Sequence, residues 1–265
     1  MPAPRRPRPV AGGRQRVLNI AESPADVWDA LDVGPLLDVD PPAAVDLTHG
    51  RSWYGVRDQG ETGSCVGWAL ADSVMRWHLV EQGRLSPRQR LSARFIWMAS
   101  KETDQFITRP TTFIETEGTS LKSALDVARK FGSVRNTVLP FVSGALYAGE
   151  TQTFYAIAAQ LKIAAYFNLD TNLTNWRTWL ATKGPILTRL DVDRTWDDAA
   201  TTKGNLDEYR PKTRRGGHAV AIVGYRPGRF IIRNSWGTTW GDKGFGYASL
   251  AYAQEAFTEA YGVEP

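Results

Sequence analysis

The hydrophobic pattern changes character at Pro185, and this change limits the architecture of the chain more than any other feature. Before Pro185, apolar residues recur at spacings of three and four, which is typical of amphipathic helices. After it, short β-rich runs alternate with clusters of glycine, proline and aspartate. A chain of 265 residues can form one large domain or two small lobes. The sequence therefore predicts an α+β protein, mainly helical first and mainly antiparallel sheet afterwards.

Four helices and four strands can be placed from these patterns. The first helix follows Ser64, a candidate N-cap, and ends at Gly83. The other helices are expected at 93–101, 119–132 and 172–182, and the strands at 186–190, 219–223, 229–233 and 245–248. Cys65 therefore lies in the first turn of a buried amphipathic helix.

Cys65 is the single cysteine of the chain. It excludes an intrachain disulfide and a cysteine-rich zinc site, and it indicates a reducing compartment. The N-terminal end of a helix lowers the pKa of a thiol, because the helix dipole and the unpaired N–H groups favour the thiolate. The same N–H groups can stabilise an oxyanion. Cys65 is therefore a candidate nucleophile, and the alternative is a small buried hydrophobic residue.

Of the three histidines, His218 is the best candidate partner for Cys65. His49 lies in a loop, and His78 lies thirteen residues along the same helix, about 20 Å from Cys65 at 1.5 Å per residue. His218 begins an apolar run after two glycines, and Asn234 follows at the end of the next predicted strand. Two neighbouring strand ends could place the Asn234 amide beside the His218 imidazole, where it would fix the orientation and tautomer of the ring.

Three ordered sequence blocks resemble the signature blocks of papain-like cysteine peptidases, the papain and cathepsin family. They are Gln59-Gly60-Glu61-Thr62-Gly63-Ser64-Cys65, His218-Ala219-Val220 and Asn234-Ser235-Trp236-Gly237-Thr238-Thr239-Trp240-Gly241. Three further blocks agree in order, namely Glu117-Gly118-Thr119-Ser120-Leu121, Leu139-Pro140-Phe141 and Gly184-Pro185-Ile186. The resemblance implies a two-lobed papain-like fold, with a helical lobe at about 46–150, a β-barrel-like lobe at about 151–265 and the active site in the cleft between them.

The resemblance also implies a role for each matching residue. The catalytic set comprises the nucleophile Cys65, its acid–base partner His218, the orienting Asn234 and the oxyanion-hole residue Gln59. Trp236 would shield the Asn234–His218 hydrogen bond from water, and Trp240 would wall the leaving-group side, unless it simply packs in the core. The substrate-binding set comprises Gly118 for the peptide backbone, and Gly217, Ala219 and Arg189 around the pocket for the second residue before the cut. If Arg189 points into that pocket, it would favour an acidic or polar side chain; the alternative is a solvated or salt-bridged arginine.

The implied activity is that of a cysteine endopeptidase acting on proteins or peptides through a thiolate–imidazolium pair and an acyl-enzyme thioester. This chemistry requires no metal and no organic cofactor. Two other functions stay open: an acyl-transfer enzyme such as a deamidase, a transglutaminase-like enzyme or an amide ligase, and a non-catalytic peptide-binding module. A further possibility is an enzyme held inactive by its own N-terminal segment or by a regulatory protein partner.

Two departures from the family pattern distinguish this chain. Thr62 stands where secreted members have a cysteine, and the run Val66-Gly67-Trp68-Ala69 looks like that of bacterial members. The familiar helical inhibitory propeptide is not expected, since only 45 residues precede the predicted catalytic domain at 46–265. Residues 1–16 are expected to form a disordered basic tail, because they cannot bury enough apolar surface, and residues 17–45 a strap on the domain.

The charge distribution gives no indication of a nucleic-acid or membrane partner. The formal net charge is +4, and five arginines lie within the first sixteen residues. The rest of the chain is therefore close to neutral and offers no electrostatic basis for nucleic-acid binding. Neither an apolar signal core nor an apolar run long enough to span a membrane occurs, so the expected location is cytoplasmic, with non-classical secretion as the alternative.

Overall fold

The computed structural model describes residues 16–25, 40–103, 118–142 and 147–265. The expected tail, apart from Arg16, and residues 26–39 of the expected strap lie outside the described residues. Among the described residues, no helix is both long and apolar enough to cross a membrane.

The N-terminal part is built around one long helix that starts at the cysteine. It comprises α1 (Cys65–Gly67), a π-helical segment (Trp68–Met75) and α2 (Arg76–Glu81), which we call together the central helix. The remaining helices are α3 (Ala93–Thr103), α4 (Leu121–Lys130), α5 (Thr151–Ala159), α6 (Leu173–Thr182) and α7 (Leu250–Ala256). The four predicted helices are confirmed, and α5 and α7 are additional.

Side-chain caps explain where two of these helices begin. The Ser120 side chain accepts a hydrogen bond from the Ser123 N–H at the start of α4, and Asn172 caps α6 in the same way. The predicted cap at Ser64 is wrong: its side chain makes no capping hydrogen bond, because its hydroxyl instead contacts the Thr62 hydroxyl and the Trp68 indole N–H. The start of the central helix therefore keeps its first N–H groups free of a side-chain acceptor from Ser64.

The described residues form one eight-stranded sheet, in which every strand except β1 comes from the C-terminal part of the chain. Its strands are β1 (Val45–Asp46), β2 (Ala165–Asn168), β3 (Ile186–Val192), β4 (Asn205–Leu206), β5 (Gly216–Arg226), β6 (Arg229–Arg233), β7 (Phe245–Ser249) and β8 (Phe257–Glu264). The order is β2-β8-β3-β5-β6-β7-β4, and β1 pairs with β5. All pairings are antiparallel except that of β4 with β7. The predicted α+β architecture is confirmed.

Strand β5 lies between the two hydrophobic cores of the protein. Successive side chains of a strand point to opposite faces of the sheet. Ala219, Ala221 and Val223 accordingly pack into the core of the central helix, α3 and α4, whereas Val220 and Ile222 pack into the core around Trp176, Trp179 and Trp196. Because both faces are buried, the strand is fixed from two sides, and His218 near its start is held with it.

The close approach of α3 to the central helix depends on Gly67. A Cβ atom at this position would overlap the carbonyl oxygen of Ala93 and lie 3.1 Å from the Cβ of Trp97. The backbone of Gly67 is ordinary right-handed helix, with φ −62° and ψ −41°, so the requirement for glycine is one of space and not of conformation.

We predict that Gly67→Ala lowers the free energy of unfolding by about 1–3 kcal/mol, because the added methyl group forces α3 away from the helix that carries Cys65. Alanine is about 1 kcal/mol better than glycine in a helix interior, so helix propensity acts in the opposite direction. Urea titration of the folded chain measures the change. Gly55→Ala is the control, since a Cβ there meets nothing closer than 4.0 Å. Equal stabilities of the two variants would contradict the packing explanation.

Candidate active site

Cys65 is the first residue of the central helix and is fully buried. Its helix packs against β5, and the backbone N–H of Ala219, the residue directly after His218, acts to lower the pKa of the thiol. The helix that begins at the candidate nucleophile is therefore packed against the strand that carries the candidate base.

The His218 ring is fixed by Asn234, which directly follows β6. Nε2 of His218 lies 2.8 Å from Oδ1 of Asn234, and the same oxygen accepts the Ser235 N–H at 2.8 Å. Because the backbone N–H can only donate, it identifies this atom as the amide oxygen, so Nε2 of His218 carries a proton. Nδ1 is buried without a hydrogen-bond partner among the described residues. In the neutral ring, Nδ1 is therefore the nitrogen able to accept a proton.

Aromatic rings enclose this hydrogen bond. The Trp236 ring lies 4.8 Å from the His218 ring, and Trp196 meets the imidazole edge-on at 5.6 Å. Trp240 packs 4.7 Å from Trp196 and donates its indole N–H to the Trp196 carbonyl oxygen. Trp196 was not among the predicted site residues, because no spacing connects it to the motifs. Its place is set by Tyr252, whose hydroxyl accepts the Trp196 indole N–H at 2.8 Å.

The Gln59 side chain is buried and held at both ends. Its Oε1 accepts the Ser235 hydroxyl at 2.6 Å, and its Nε2 donates to the Thr62 carbonyl oxygen at 2.9 Å. The loop itself pairs with the strand end, since the Gln59 N–H donates to the Ser235 carbonyl oxygen at 2.8 Å. A primary amide has two N–H donors, so one of them remains for an oxyanion.

Residues 16–25, which we call the strap from here on, lie across the two predicted substrate-binding glycines. A Cβ on Gly118 would lie 2.5 Å from the Asn19 carbonyl oxygen, and one on Gly217 would lie 2.6 Å from that of Ile20. The Ile20 N–H also donates to the Gly217 carbonyl oxygen at 3.4 Å. Ile20 is buried in the same core as Cys65 and Ala219. The strap therefore occupies the place where the resemblance puts a peptide substrate.

Arg16, the first described residue of the chain, is bound next to the loop of Gln59. The Arg16 guanidinium pairs with Asp58 at 2.5 Å, donates to the Gly60 and Trp236 carbonyl oxygens at 3.0 Å each, and lies 5.6 Å from the centre of the Trp236 ring. These contacts fasten the strap beside the loop of Gln59.

Arg189 is buried and ion-paired, and it contacts the strap at Ile20 and Glu22. Its guanidinium donates to the Thr258 hydroxyl at 2.6 Å and the Ile20 carbonyl oxygen at 3.4 Å. Three carboxylates surround it, those of Asp191 at 3.4 Å, Glu22 at 3.6 Å and Glu259 at 4.0 Å. Glu22 and Ile20 belong to the strap, so a ligand that displaced the strap would remove two of the groups that contact the Arg189 guanidinium.

Burial determines the charge state of the Cys65–His218 pair in this arrangement. Desolvation raises the pKa of the Cys65 thiol to about 11, against smaller lowering effects of the Ala219 N–H and Arg189. Desolvation also lowers the pKa of His218 to about 4, although the Asn234 hydrogen bond acts in the opposite direction. With the strap in place, both shifts favour the neutral thiol and the neutral imidazole at pH 7.

The structure thus brings together Cys65, His218, Asn234, Gln59 and Trp236, while His78 lies buried near the end of the central helix and His49 is exposed. In the described part of the chain, no group of three or more His, Cys, Asp or Glu residues could hold a metal ion.

Comparison with known proteins identifies the family. Residues 41–261 match the family described as papain family cysteine protease. The chain belongs to this family. Ananain from Ananas comosus is 24% identical over 243 residues, which cover 86% of this chain and 60% of ananain. Peptidase 1 from Psoroptes ovis is 42% identical over 76 residues, which cover 27% of this chain and 24% of that protein.

Solved structures show the same papain-like fold. Xylellain, a cysteine protease from Xylella fastidiosa, superposes with a TM-score of 0.75 at 22% identity, covering 97% of this chain and 99% of xylellain. Procathepsin L 3 of Tenebrio molitor superposes with a TM-score of 0.61 at 17% identity, covering 96% and 76%. The predicted family and fold are confirmed.

We predict that Ser235→Ala lowers kcat about tenfold, equivalent to about 1.4 kcal/mol, because Gln59 loses the donor that orients its amide. Peptide hydrolysis by the titrated active enzyme measures the change. Ser133→Ala, which also removes a buried serine hydroxyl but lies in the helical part, should leave kcat unchanged. An unchanged kcat in Ser235→Ala would show that Gln59 keeps its position without Ser235.

Proposed function

We propose that this chain hydrolyses peptide bonds in proteins or peptides, with Cys65 as nucleophile and His218 as general acid and base. The observation that carries the proposal is the His218–Asn234 hydrogen bond, which leaves Nδ1 unprotonated in the neutral ring, on the strand against which the helix of Cys65 packs. Transfer of the thiol proton to Nδ1 gives the reactive thiolate and an imidazolium.

The reaction has two acyl-transfer steps. The Cys65 thiolate attacks the substrate carbonyl carbon, and the negative charge on the oxygen is stabilised by the Cys65 N–H and the free Gln59 N–H. The His218 imidazolium then gives its proton to the departing amine, leaving a thioester on Cys65. Water, deprotonated by His218, attacks the thioester, and the acid product leaves as the thiol is restored.

Two other functions make different products from the same thioester. A deamidase would release ammonia from a side-chain amide, and a transglutaminase-like enzyme or amide ligase would pass the acyl group to an amine. A non-catalytic peptide-binding module would form no thioester at all. Mass spectrometry of a peptide substrate separates these outcomes, because only hydrolysis yields two shorter chains.

We predict that an epoxysuccinyl peptide alkylates Cys65 and that His218→Ala slows this reaction at least about a hundredfold, since the imidazole no longer takes the thiol proton. Peptide mapping by mass spectrometry locates the label. The value of kcat/KM should rise with pH as the Cys65 thiol ionises and fall as the His218 imidazolium loses its proton. Labelling independent of His218, or a profile with a single limb, would contradict the ion pair.

We further propose that the strap inhibits the enzyme. Arg16 lies beside Trp236, whose ring packs 5.8 Å from that of Trp240, the residue expected on the leaving-group side. Later strap residues lie on the other side, where the Pro24 carbonyl oxygen accepts Lys122 Nζ at 3.0 Å and the Ser23 N–H donates to Glu259 at 3.0 Å. A substrate would run the opposite way, with the residues before the cut near Gly118. The strap therefore runs through the cleft in the direction opposite to that of a substrate. Its own peptide bonds are for this reason not in position for attack by Cys65.

We predict that Arg16→Ala increases the rate of Cys65 alkylation about fivefold at pH 7, because water reaches the thiol when the strap is held less tightly and lowers its pKa from the buried value of about 11. Arg51→Ala is the matched control: Arg51 also pairs with a carboxylate, Glu81 at 2.7 Å, and lies 5.5 Å from an indole ring, but outside the cleft. Equal alkylation rates in both variants and the wild type would contradict the proposal that the strap inhibits the enzyme.

A further inference from the structure

Arg233 makes a buried set of contacts that the reaction described above does not use. It is the last residue of β6, directly before Asn234, and it is 3% exposed. Its Nε donates to the Tyr54 carbonyl oxygen at 3.1 Å, and one terminal nitrogen donates to the Gly55 carbonyl oxygen at 2.8 Å and to Oδ2 of Asp72 at 2.9 Å. The guanidinium also lies 4.6 Å from the centre of the Tyr54 ring.

Each acceptor belongs to a chain segment that carries a catalytic group. Tyr54 and Gly55 lead into the loop of Gln59, and Asp72 lies in the π-helical segment of the helix that begins at Cys65. Arg233 itself leads into Asn234. One guanidinium therefore joins the nucleophile helix, the oxyanion-hole loop and the strand end that orients His218.

We propose that Arg233 is a positioning residue that fixes these three segments relative to one another, with Asp72 as its counter-ion. The inference rests on the proposed peptidase function and adds to it a residue that touches neither substrate nor the reacting atoms. Arginine suits this place because its planar fork of N–H donors can bind several oxygens at fixed angles, which the single ammonium of lysine cannot do.

The charges around Asp72 explain why the contact is strong. Arg233 and Arg90 bind its two carboxylate oxygens, at 2.9 Å and 2.5 Å, and Arg76 lies 3.9 Å away. Asp72 and Arg233 are both excluded from water, so loss of Asp72 would leave the buried Arg233 charge without its counter-ion, whereas loss of Arg233 would leave Asp72 paired with Arg90 and Arg76 only. The π-helical turn brings Asp72 into this position on a helix whose first residue is Cys65. Such turns occur frequently at functional sites.

Arg76 provides a matched control for the loss of a buried arginine. It is as buried as Arg233 and also faces Asp72, but its guanidinium donates to the Gln89 and Pro87 carbonyl oxygens at 3.0 Å and 2.9 Å, in the helical part. Burial lowers the pKa of Arg76 to about 10, so it stays charged at neutral pH. Its guanidinium also lies 5.1 Å from the centre of the Trp53 ring, but its hydrogen bonds within the described part of the chain go to neither the segment of Gln59 nor that of Asn234. Removal of Arg76 therefore tests the loss of a buried arginine without taking a hydrogen bond from either segment.

The His218 ring reports the position of Asn234. The groups that act on the protonation of His218 are the Asn234 amide, which raises its pKa, and the Arg16 cation, which lowers it; the tryptophan rings packed around it are uncharged. The thiol of Cys65 is the remaining titratable group of the pair. If Asn234 moves when Arg233 is lost, His218 loses the hydrogen bond that stabilises its imidazolium. The alkaline limb of the pH–rate profile then moves to lower pH.

The test compares Arg233→Met, Arg233→Lys and Arg76→Met in the full chain. We expect Arg233→Met to lower kcat about a hundredfold per titrated active site with little change in KM, and to move the alkaline limb to lower pH. We expect Arg233→Lys to lie between this variant and the wild type. Arg76→Met should lose comparable thermal stability but keep the wild-type kcat and pH profile.

A second measurement needs no turnover. In histidine-labelled full chain, NMR detects the His218 Nε2–H proton, which should shift or vanish in Arg233→Met and stay in place in Arg76→Met. Identical kcat, pH profile and NMR signal in the two methionine variants would overturn the inference. If Arg233→Met does not fold, Arg233→Lys decides: wild-type kcat and NMR signal overturn the inference, and a lower kcat with a shifted signal supports it.

Failure of the peptidase proposal gives a different pattern. A wild-type chain that cuts no peptide but shows the NMR shift in Arg233→Met alone would remove the proposed function and keep the positioning role. A wild-type chain that cuts peptides, with Arg233→Met indistinguishable from Arg76→Met, would keep the proposed function and remove the positioning role.

Discussion

The hydrogen bond between His218 and Asn234 is the contact on which the rest of the site depends. It exists because β5 and β6 are neighbours in the sheet, so that His218 near the start of β5 meets the residue that follows β6. The Ser235 N–H fixes which end of the Asn234 amide faces the ring. Two strands, each held by the cores, thereby determine which imidazole nitrogen is free to accept a proton.

The strap changes the chemistry of this pair mainly by excluding water. A thiolate and an imidazolium are both charged, and burial without strong partners disfavours both. The pKa values of about 11 for Cys65 and about 4 for His218 belong to the covered cleft. An open cleft returns water and the substrate carbonyl to the pair. Under the proposed function, the same residues are therefore inert when the cleft is covered and reactive when it is open, with no change in the positions of Cys65, His218 and Asn234.

The sequence locates Cys65, His218 and Asn234 at the ends of strongly patterned elements, and the structure brings these candidate residues together; their catalytic roles stay a prediction. The sequence does not predict Trp196 or Arg233, because their partners, Tyr252 and Asp72, are distant in the chain and become neighbours only through folding. Strand β8 was missed as well. Its residues 260–263 are buried in succession, and such a pattern does not alternate as that of a half-buried strand does.

The free energies of the strap contacts are small enough for the cleft to interconvert between a covered and an open form, so the proposed inhibition is reversible. Full burial of the Ile20 side chain contributes about 1.5–3 kcal/mol. The partly exposed Arg16–Asp58 pair adds no more than about 1 kcal/mol, because water screens it. These two contacts alone, near 3 kcal/mol together, would leave about one open cleft per hundred covered ones, since each 1.4 kcal/mol is a factor of ten. A peptide that binds the open cleft with useful affinity can therefore displace the strap without its removal by cleavage.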